Sequence, residues 1–372
     1  MAFRNRSERI TFEKTPLLCK GLSVNPCCGM REGEPGLPSN KYLRVKRCYT
    51  LPDRTSDKRK FMGSYFIAGI AGFIGSALAR ALIKAGHDVA GFDNLSTGLR
   101  GNVPPEALFF EGDGYNPGLY GKILPRHKFD AIFHLAEQSS VETSFADPVL
   151  DLRSNTESTL HLLRYAVDTD TRRFIYASSK AVYGQKPDMP VSEDEPARPE
   201  SFYGVSKMVG EHYLRLYEQF GVRWTALRLF NVYGPGQNVR NMNHGMVNIF
   251  MYMMIRDNHI HVQGSPNRYR DFVYIDDVVA AFLACLDNPL SEGRVFNIGG
   301  TGKVLVGDLV EKIAALPFNP PTVEYSGSTV GNLLGIHADI LKAARLLGYE
   351  PEVFLGEGLD RMYAWMVREF AA

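Results

Sequence analysis

Two side chains in the stretch SFYGVSKMVGEHY, residues 201–213, could act together as a proton-transfer couple. Tyr203 precedes Lys207 by four residues, just over one helical turn, so a helix here places both side chains on one face. On a surface helix such a pair is only a lysine stem packed against a ring. In a buried site, however, the ammonium lowers the phenol pKa, so that a tyrosinate can take up a proton near neutral pH.

Ser179, at the end of the strand-like run RFIYASS, supplies a third group for the same chemistry. If Ser179 and Tyr203 project over one crevice, the three side chains suit hydride transfer at a carbinol carbon. The tyrosinate removes the hydroxyl proton, the serine hydrogen-bonds the oxygen, and hydride passes to a nicotinamide. Lys207 lowers the tyrosine pKa and can also bond the nicotinamide ribose.

The segment at residues 64–94 predicts the nucleotide-binding unit that this chemistry needs. It reads as a strand, a turn with Gly69, Gly72 and Gly75, a helix, and a second strand that ends at Asp93. The glycines let the chain turn tightly and approach a pyrophosphate, and the helix N-terminus offers free N–H groups to it. A carboxylate at Asp93 accepts hydrogen bonds from a ribose diol and repels a 2′-phosphate, which favours NAD over NADP.

Further strand-like runs alternate with helical patterns along the chain. They are ALFFEGD (107–113), FDAIFHLA (129–136), RFIYASS (173–179) and WTALRLFN (224–231). This alternation predicts an α/β fold with a Rossmann-type doubly wound parallel sheet. Ligands of such sheets bind at the carboxyl ends of the strands. The residues at those ends are polar: Gly112–Asp113, His134, Ser178–Ser179 and Asn231.

The chain is predicted to have an NAD-binding domain at 62–238, to which 271–300 returns, and a smaller, discontinuous C-terminal substrate lobe mainly at 239–372. The first 61 residues differ from the rest, with 14 Lys/Arg against 6 Asp/Glu and no apolar periodicity. They are interpreted as a disordered extension or as sequence outside the natural protein, which would then start at Met62. A transit peptide fits poorly, because such peptides contain few acidic residues.

Two patterns in the second half of the chain predict helices. The methionine-rich stretch at 244–260 is predicted to form a helix of the substrate lobe, with its methionines filling the core. Asp276 and Asp277 could suggest a pair of acidic groups for catalysis. They are interpreted instead as caps of a helix that begins at about Val278.

The composition beyond residue 61 argues against several classes of function. It has 28 Lys/Arg against 35 Asp/Glu, which gives no sign of nucleic-acid binding. No apolar run reaches the roughly 18 residues of a membrane helix. Cys285 is the only cysteine there, and His244, His259 and His261 lack partners at metal-ligand spacing. We therefore expect no metal, no membrane and a reducing, cytoplasmic location.

Several stretches carry a resemblance to a known family, in the family's order over roughly residues 64–300. They are GIAGFIGS, FDNLSTG, EGD, HLAEQSSV, YASSKAVYG, YGVSK, LRLFNVYGPGQ, RDFVYIDDV and FNIGG. On these motifs the chain resembles the extended short-chain dehydrogenase/reductase family. Within it, the chain is most like the NAD-dependent nucleotide-sugar epimerases and dehydratases of the UDP-glucose (UDP-galactose) 4-epimerase type. The closing stretch ADILKAARLLGYEP is similar as well.

The resemblance implies the residues of the site. It implies a catalytic set of Ser179, Tyr203 and Lys207. It implies NAD contacts from Gly69, Gly72, Phe73, Ile74, Gly75, Asp93, Asn94, Asp113, Leu135, Ala136, Tyr203 and Lys207. For a nucleotide-sugar substrate such as a UDP-hexose it implies Ser179, Asn231 and Arg270, the last two near the diphosphate. It also implies a homodimer through two helices, here at 152–167 and 203–219.

The residues after Ser179 favour epimerisation over sister reactions. Dehydratases and decarboxylases of the family carry T-D-E or T-S-E at this point, because eliminating water needs an extra carboxyl, whereas this chain reads Ser179-Lys180-Ala181. We therefore predict transient oxidation at sugar C4 and return of the hydride to the other face. A 4-ketoreductase, which would consume NADPH, and a non-catalytic NAD-binding module stay as alternatives, against which Asp93 and the intact catalytic set argue respectively.

Four residues depart from the family pattern. Ala68 replaces a threonine before the first glycine, and Glu137 stands where HLAAQ has a small residue. Lys180 is a second lysine beside the catalytic serine, and an ion pair between Glu137 and Lys180 is one hypothesis. Thr329 stands in place of an arginine that clamps the diphosphate, so the resemblance leaves the sugar undecided.

Overall fold

The computed structural model of the protein describes residues 62–123, 127–186, 188–242, 245–327 and 334–371. Within them the strands are β1 (Ser64–Ala68), β2 (Asp88–Asp93), β3 (Leu108–Glu111), β4 (Ala131–His134), β5 (Arg173–Ser179), β6 (Pro190–Val191), β7 (Arg223–Leu229), β8 (Asn231–Tyr233), β9 (His259–Gln263), β10 (Tyr269–Tyr274), β11 (Arg294–Ile298), β12 (Lys303–Leu305), β13 (Thr322–Ser326) and β14 (Gly335–Ala338). The α-helices are α1 (Phe73–Lys84), α2 (Pro117–Tyr120), α3 (Val141–Ala146), α4 (Pro148–Asp151), α5 (Ser158–Asp168), α6 (Phe202–Tyr217), α7 (Met246–Asp257), α8 (Ile275–Ala284), α9 (Val306–Ala314), α10 (Leu341–Leu347) and α11 (Leu355–Ala371).

The main sheet has seven strands in the order β11-β7-β5-β4-β1-β2-β3, and every pair is parallel. The chain winds outward from β1 in both directions, so the winding reverses between β1 and β4. Ala68, the last residue of β1, pairs with Phe92 on one side and with His134 on the other. The predicted Rossmann-type doubly wound sheet is therefore confirmed, and its crevice lies beyond Ala68, where loops to either side diverge.

Helices cover both faces of this sheet because its central strands are apolar on both sides. Successive side chains of a strand point to opposite faces. Phe66 of β1 packs in a core cluster with side chains of α5 and α6. Its neighbour Ile67 packs in the other cluster, with side chains of α1 and α8. The strands are thereby fixed in position, which holds the side chains at their carboxyl ends in place.

A smaller sheet forms beside the main one. Its order is β12-β10-β14-β6, and β8 also pairs with β10. Strands β9 and β13 form a separate parallel pair. Helix α7 lies within the methionine-rich stretch for which a helix was predicted, and Met251 and Met254 are buried as core side chains. These elements surround the open side of the crevice with residues from the second half of the chain.

The helix that contains Asp276 and Asp277 begins earlier than the sequence predicts. Helix α8 starts at Ile275, so both aspartates lie in its first turn and neither caps it. The Asp277 carboxylate instead accepts hydrogen bonds from the backbone amides of Glu352, at 3.0 Å, and Val353, at 3.3 Å. The prediction of a capping role is wrong, because this carboxylate ties the C-terminal segment to α8.

Some predictions fall outside the described residues: those on residues 1–61, on His244 and on Thr329. In the part of the chain that is described, no helix combines the length and apolar character needed to cross a membrane. The same part contains no group of three or more His, Cys, Asp or Glu side chains that could hold a metal ion.

Candidate active site

Two adjoining cavities, each of about 480 Å³, lie at the carboxyl ends of the main-sheet strands. The first, called here the aspartate cavity, is defined by Asp93, Asn94 and Asp113. The second, called here the tyrosine cavity, is defined by Ser179, Tyr203 and Lys207. The two share part of their lining, including Gly69, Leu135 and Glu137. A ligand as long as a dinucleotide can therefore extend from one cavity into the other.

The glycine turn after β1 forms the floor where the two cavities meet. Gly69 has φ +87°, and a Cβ there would lie 2.6 Å from the carbonyl carbon of Leu135. A Cβ on Gly75 would lie 2.0 Å from the carbonyl oxygen of Gly69, so α1 can approach the turn only without side chains. Helix α1 begins at Phe73, which Ile74 follows, and no side chain caps its N-terminus. The turn thus presents bare backbone, which suits a pyrophosphate.

Asp93 ends β2 with its carboxylate held by backbone amides. Oδ2 accepts from Ala71 at 3.1 Å and Oδ1 accepts from Leu95 at 2.8 Å. Burial raises the pKa of Asp93, and these hydrogen bonds act in the opposite direction. Asp93 lines the aspartate cavity, so its carboxylate is within reach of a ligand there. Asn94 donates to Asp113 on the rim of the same cavity.

Helix α6 brings Tyr203 and Lys207 into the tyrosine cavity, one turn apart. The hydroxyl of Ser201 accepts from the amide of Gly204 at 3.0 Å and caps the helix, which fixes the turn that carries Tyr203. Lys207 Nζ lies 5.7 Å from the centre of the Tyr203 ring. Tyr203 is only 8% exposed, so the pair is not a surface contact.

Ser179, the last residue of β5, reaches the same cavity from the sheet. Burial raises the pKa of Tyr203 to about 12, and a hydrogen bond with Ser179 opposes that rise. Burial also lowers the pKa of Lys207 well below its usual range, against the charge of Glu211. Lys207 Nζ donates to the carbonyl of Ala177 at 2.6 Å. The three side chains that the sequence singled out are therefore together in one buried site.

Glu137 contacts a different lysine from the one the sequence suggested. Its Oε2 pairs with Lys207 Nζ, and both side chains are at most 4% exposed. The hypothesis of an ion pair with Lys180 is therefore wrong: the docking of α6 against β5 places Lys207 beside the end of β4. Glu137 Oε1 is buried and has no hydrogen-bond partner among the described residues.

The two residues predicted to meet the substrate diphosphate are placed differently. Asn231 lines the tyrosine cavity, and its amide donates to the carbonyl of Asp271 at 2.7 Å. Arg270 lines neither cavity, and its guanidinium donates to the carbonyls of Tyr269, at 2.7 Å, and Leu334, at 3.5 Å. The structure thus brings Asn231, but not Arg270, to the catalytic set.

Lys180 lines the tyrosine cavity directly after Ser179. Its ammonium forms no ion pair or hydrogen bond with the described residues. Burial lowers the pKa of Lys180 to about 7, the charge of Arg270 lowers it further, and Asp271 opposes the shift. The Asp271 carboxylate itself accepts from two backbone amides. Near neutral pH the cavity therefore holds a partly charged lysine that forms no ion pair with a carboxylate of the described residues.

The motifs and the geometry agree with what comparison with known proteins shows. Residues 65–299 match the model of a family described as NAD dependent epimerase/dehydratase. The chain belongs to this family. It is 34% identical over 302 residues to a UDP-glucose 4-epimerase of Mycolicibacterium smegmatis, which covers 79% of this chain and 96% of the relative. NAD, the predicted cofactor, is thereby confirmed as the cofactor of the family.

Two solved structures from the family resemble the fold closely. A UDP-glucose 4-epimerase of Thermotoga maritima with UDP-glucose has a TM-score of 0.79 and 33% identity, covering 82% of this chain and 99% of that one. A UDP-glucuronic acid 4-epimerase of Bacillus cereus, in complex with UDP-glucuronic acid and NAD, has a TM-score of 0.74 and 30% identity, covering 82% and 99%. The family members similar to this chain therefore differ in the sugar they take.

The residues of the two cavities fit NAD. At Gly69 and Gly75 a Cβ would meet neighbouring backbone, so only glycine allows the close packing that lines the cavity with bare backbone, as a pyrophosphate requires. Asp93 lies where the first ribose of a dinucleotide would end, with Leu135 and Ala136 along the path. Tyr203 lies in the adjoining cavity, where the nicotinamide half would reach it.

Sequence reasoning missed the segment after β8 that closes the tyrosine cavity. Gln237, Asn238 and Asn241 line it, and the first two directly follow GPG. Gln237 Oε1 and Asn248 Oδ1 are buried with no hydrogen-bond partner among the described residues. A cluster of amides after a glycine-proline turn was the available signal, since such side chains suit the hydroxyls of a sugar.

Proposed function

We propose that this protein interconverts UDP-hexoses that differ in configuration at C4, as UDP-glucose and UDP-galactose do. One observation carries the proposal: Ser179, Tyr203 and Lys207 face a cavity that shares its lining with the cavity of Asp93. A dinucleotide held at Asp93 therefore ends beside the tyrosine. Relatives named UDP-glucose 4-epimerase support the choice of reaction.

In this reaction the three side chains have distinct tasks. Tyr203, as tyrosinate, takes the proton of the sugar 4-hydroxyl, while Ser179 donates a hydrogen bond to the same oxygen. The charge of Lys207 stabilises the tyrosinate against the effect of burial. Bound NAD supplies the hydride acceptor and donor at C4. The 4-keto sugar turns in the cavity to present its other face, and Tyr203 then returns the proton to the oxygen.

The residue two positions after Ser179 supports epimerisation over elimination. Ala181 lines the tyrosine cavity at this position, where the dehydratases that the chain resembles carry a glutamate. Eliminating water requires a group that moves a second proton, which an alanine lacks. The same position argues against a decarboxylase. A 4-ketoreductase is disfavoured because Asp93 would repel the 2′-phosphate of NADPH.

A second candidate substrate, UDP-glucuronate, is favoured by Lys180. The C6 carboxylate of a hexuronate is joined to C5, next to the reacting C4, whereas the diphosphate is joined to C1 across the ring. Lys180 lines the tyrosine cavity beside Ser179, and this alternative supposes that its ammonium faces the C6 side of the sugar rather than the diphosphate. An unpaired lysine at this place suits a carboxylate. The UDP-glucuronic acid 4-epimerase among the structural neighbours supports this alternative.

Proton NMR of the anomeric signals tests the reaction directly. The purified full-length chain is incubated with UDP-galactose and, separately, with UDP-glucuronate, without added NAD. We expect conversion of at least one substrate to its C4 epimer with no net oxidation. Conversion of UDP-glucuronate alone would select the second candidate. Failure with both, and also with UDP-N-acetylglucosamine, in protein shown to contain NAD would contradict the proposal.

The homodimer is proposed on the pattern of exposed apolar side chains. Leu152, Phe202 and Val205 are 55%, 48% and 43% exposed on the π-helical turn Leu152–Glu157 and on α6, which lie against each other. A second copy would cover them, as the resemblance implies for these helices. The cytoplasmic location, like the dimer, stays a prediction.

A further inference from the structure

Glu137 is a buried carboxylate in a place where the family pattern has a small residue. It lies three residues after the end of β4, at the boundary between the two cavities, and it lines both of them. Its side chain is 3% exposed. A charged group is seldom buried to this extent unless it is paired and hydrogen-bonded, so both of its oxygens should have partners.

Among the described residues, only one of the two oxygens has a partner. Oε2 pairs with Lys207, whereas Oε1 has no hydrogen-bond donor among the described residues. The nearest candidate, His134 Nε2, is 4.0 Å from Oε1 and already bonds Thr159 at 2.9 Å. Burial lowers the pKa of His134 to about 3, so the ring is neutral and is no counter-ion. Oε1 is therefore free to accept a hydrogen bond from a ligand that enters the cavity.

The position of Glu137 identifies the ligand group. A dinucleotide that binds Asp93 and reaches Tyr203 passes Glu137, because Glu137 lines both cavities. The part of the dinucleotide at the tyrosine end is the nicotinamide with its ribose. A ribose diol needs both acceptors and donors, which a carboxylate beside an ammonium provides.

We propose that Glu137 supplies the acceptor of a second diol site, at the nicotinamide ribose, where the resemblance already places Lys207. Glu137 Oε1 accepts from one hydroxyl and Lys207 donates to the other. The site has the same chemistry as Asp93 at the adenosine end, with a carboxylate as the acceptor. The inference concerns the nucleotide alone, so it does not depend on which sugar the protein takes.

Three nucleotides distinguish binding at one end of the cofactor site from binding at the other. ADP carries only the adenosine half, ADP-ribose adds a second ribose, and NAD adds the nicotinamide. Binding of each is measured by calorimetry to the full-length chain after bound nucleotide has been removed. In Glu137→Ala we expect ADP-ribose and NAD to bind about ten- to a hundredfold more weakly, the effect of losing a hydrogen bond to a charged group. ADP should bind as before.

Three further variants make the comparison specific. Glu137→Gln retains an acceptor oxygen and should lose less affinity for ADP-ribose than Glu137→Ala. Asp93→Asn should weaken all three nucleotides, since the adenosine half is common to them. Glu106→Gln removes an exposed carboxylate outside both cavities and should change none. Alanine matches the small residue of the family pattern, so Glu137→Ala should fold.

Two results would overturn the second diol site. One is an equal loss of ADP and ADP-ribose binding in Glu137→Ala, which would show a purely structural role for the ion pair. The other is unchanged binding of all three nucleotides. Either result is independent of the NMR experiment with UDP-sugars, since no sugar is present. A wild-type protein that shows no epimerase activity, but whose binding of ADP-ribose depends on Glu137 while its binding of ADP does not, would contradict the proposed function instead.

Discussion

The aspartate cavity and the tyrosine cavity differ in how the chain builds them. The aspartate cavity depends on one βαβ unit, in which Gly69 turns the backbone and the amides of Ala71 and Leu95 hold Asp93. The tyrosine cavity gathers side chains from β5, from α6 and from the segments after β4 and β8. Nucleotide recognition thus depends on local backbone geometry, whereas the chemistry depends on the packing of distant segments.

The two cavities also differ in charge. In the aspartate cavity, burial raises the pKa of Asp93, and hydrogen bonds from the backbone oppose that rise. In the tyrosine cavity burial raises the pKa of Tyr203 to about 12 and lowers that of Lys180 to about 7. Both charged departures from the family pattern, Glu137 and Lys180, line this second cavity. We therefore expect this protein to differ from its relatives in sugar choice and pH response more than in binding the adenosine half of NAD.

Removing the phenol hydroxyl of Tyr203 should affect the function of one cavity and not that of the other, and this is the largest effect we expect. In Tyr203→Phe we expect kcat to fall about 10²- to 10⁴-fold, because the ring still packs but no group takes the proton. The amount of NAD that co-purifies should not change, since the aspartate cavity is intact. NMR measures turnover, and chromatography of the nucleotide released on denaturation measures NAD content.

Tyr213→Phe is the matched control for this variant. Tyr213 lies on the same helix, partly buried, and lines neither cavity. Its loss of a phenol should leave both kcat and NAD content as they were. Full activity in Tyr203→Phe would remove the tyrosine from the mechanism.

The aspartate cavity could be predicted from the sequence because its signals are local. The pattern at residues 64–94 predicted a strand, a glycine turn, a helix and a strand ending at Asp93, and β1, α1 and β2 occupy those places. Hydrophobic period and glycine spacing are sufficient for such a unit, since every contact lies between neighbours in sequence. The spacing of Tyr203 and Lys207 was readable for the same reason.

The tyrosine cavity could be predicted only in part, because its contacts join segments whose docking no local pattern encodes. The sequence placed Glu137 and Lys180 on the list of departures but paired them with each other. The packing of α6 against β5 instead brings Lys207 to Glu137. Arg270 was expected at the substrate; its guanidinium bonds backbone carbonyls and it lines neither cavity, so its role there stays a prediction. Side-chain direction at such places follows from tertiary packing rather than from motif spacing.

Neutralising Lys180 should change which sugar the tyrosine cavity prefers without changing how the aspartate cavity binds the nucleotide. In Lys180→Met we expect kcat/KM for UDP-glucuronate to fall about ten- to a hundredfold, the effect of losing a charge-assisted hydrogen bond. The value for UDP-glucose should change little, because a neutral sugar has no carboxylate at C6. Progress curves with the two substrates, and Lys122→Met as an exposed control, test this expectation.

The pH dependence of the wild-type protein gives an independent test of the same contact. Because the pKa of Lys180 is about 7, its charged form is complete below that pH and is lost as the pH rises through it. KM for UDP-glucuronate should therefore rise with pH in this range, while KM for UDP-glucose should not. An equal loss for both sugars in Lys180→Met would place the ammonium at the diphosphate.

The smallest expected effect concerns the charge of Lys207. Burial lowers its pKa, and the charge of Glu211 opposes that shift. Glu137 pairs with the same ammonium, so Glu137→Gln should lower the pKa of Lys207 further. If the mechanism needs the ammonium, the alkaline fall of kcat should then begin at a lower pH in this variant. The exposed change Glu106→Gln should leave the profile unmoved.

The other groups that face Lys207 cannot produce such a shift. Burial raises the pKa of Tyr176 well above its usual range and lowers that of His134 to about 3, so neither titrates there. Glu211 remains bonded to Arg228 and Ser178 in the variant. Burial raises the pKa of Tyr203 to about 12, so its titration does not produce this limb either. An unchanged alkaline limb in Glu137→Gln would mean that Glu211 and the bound nucleotide hold the charge on Lys207 without Glu137.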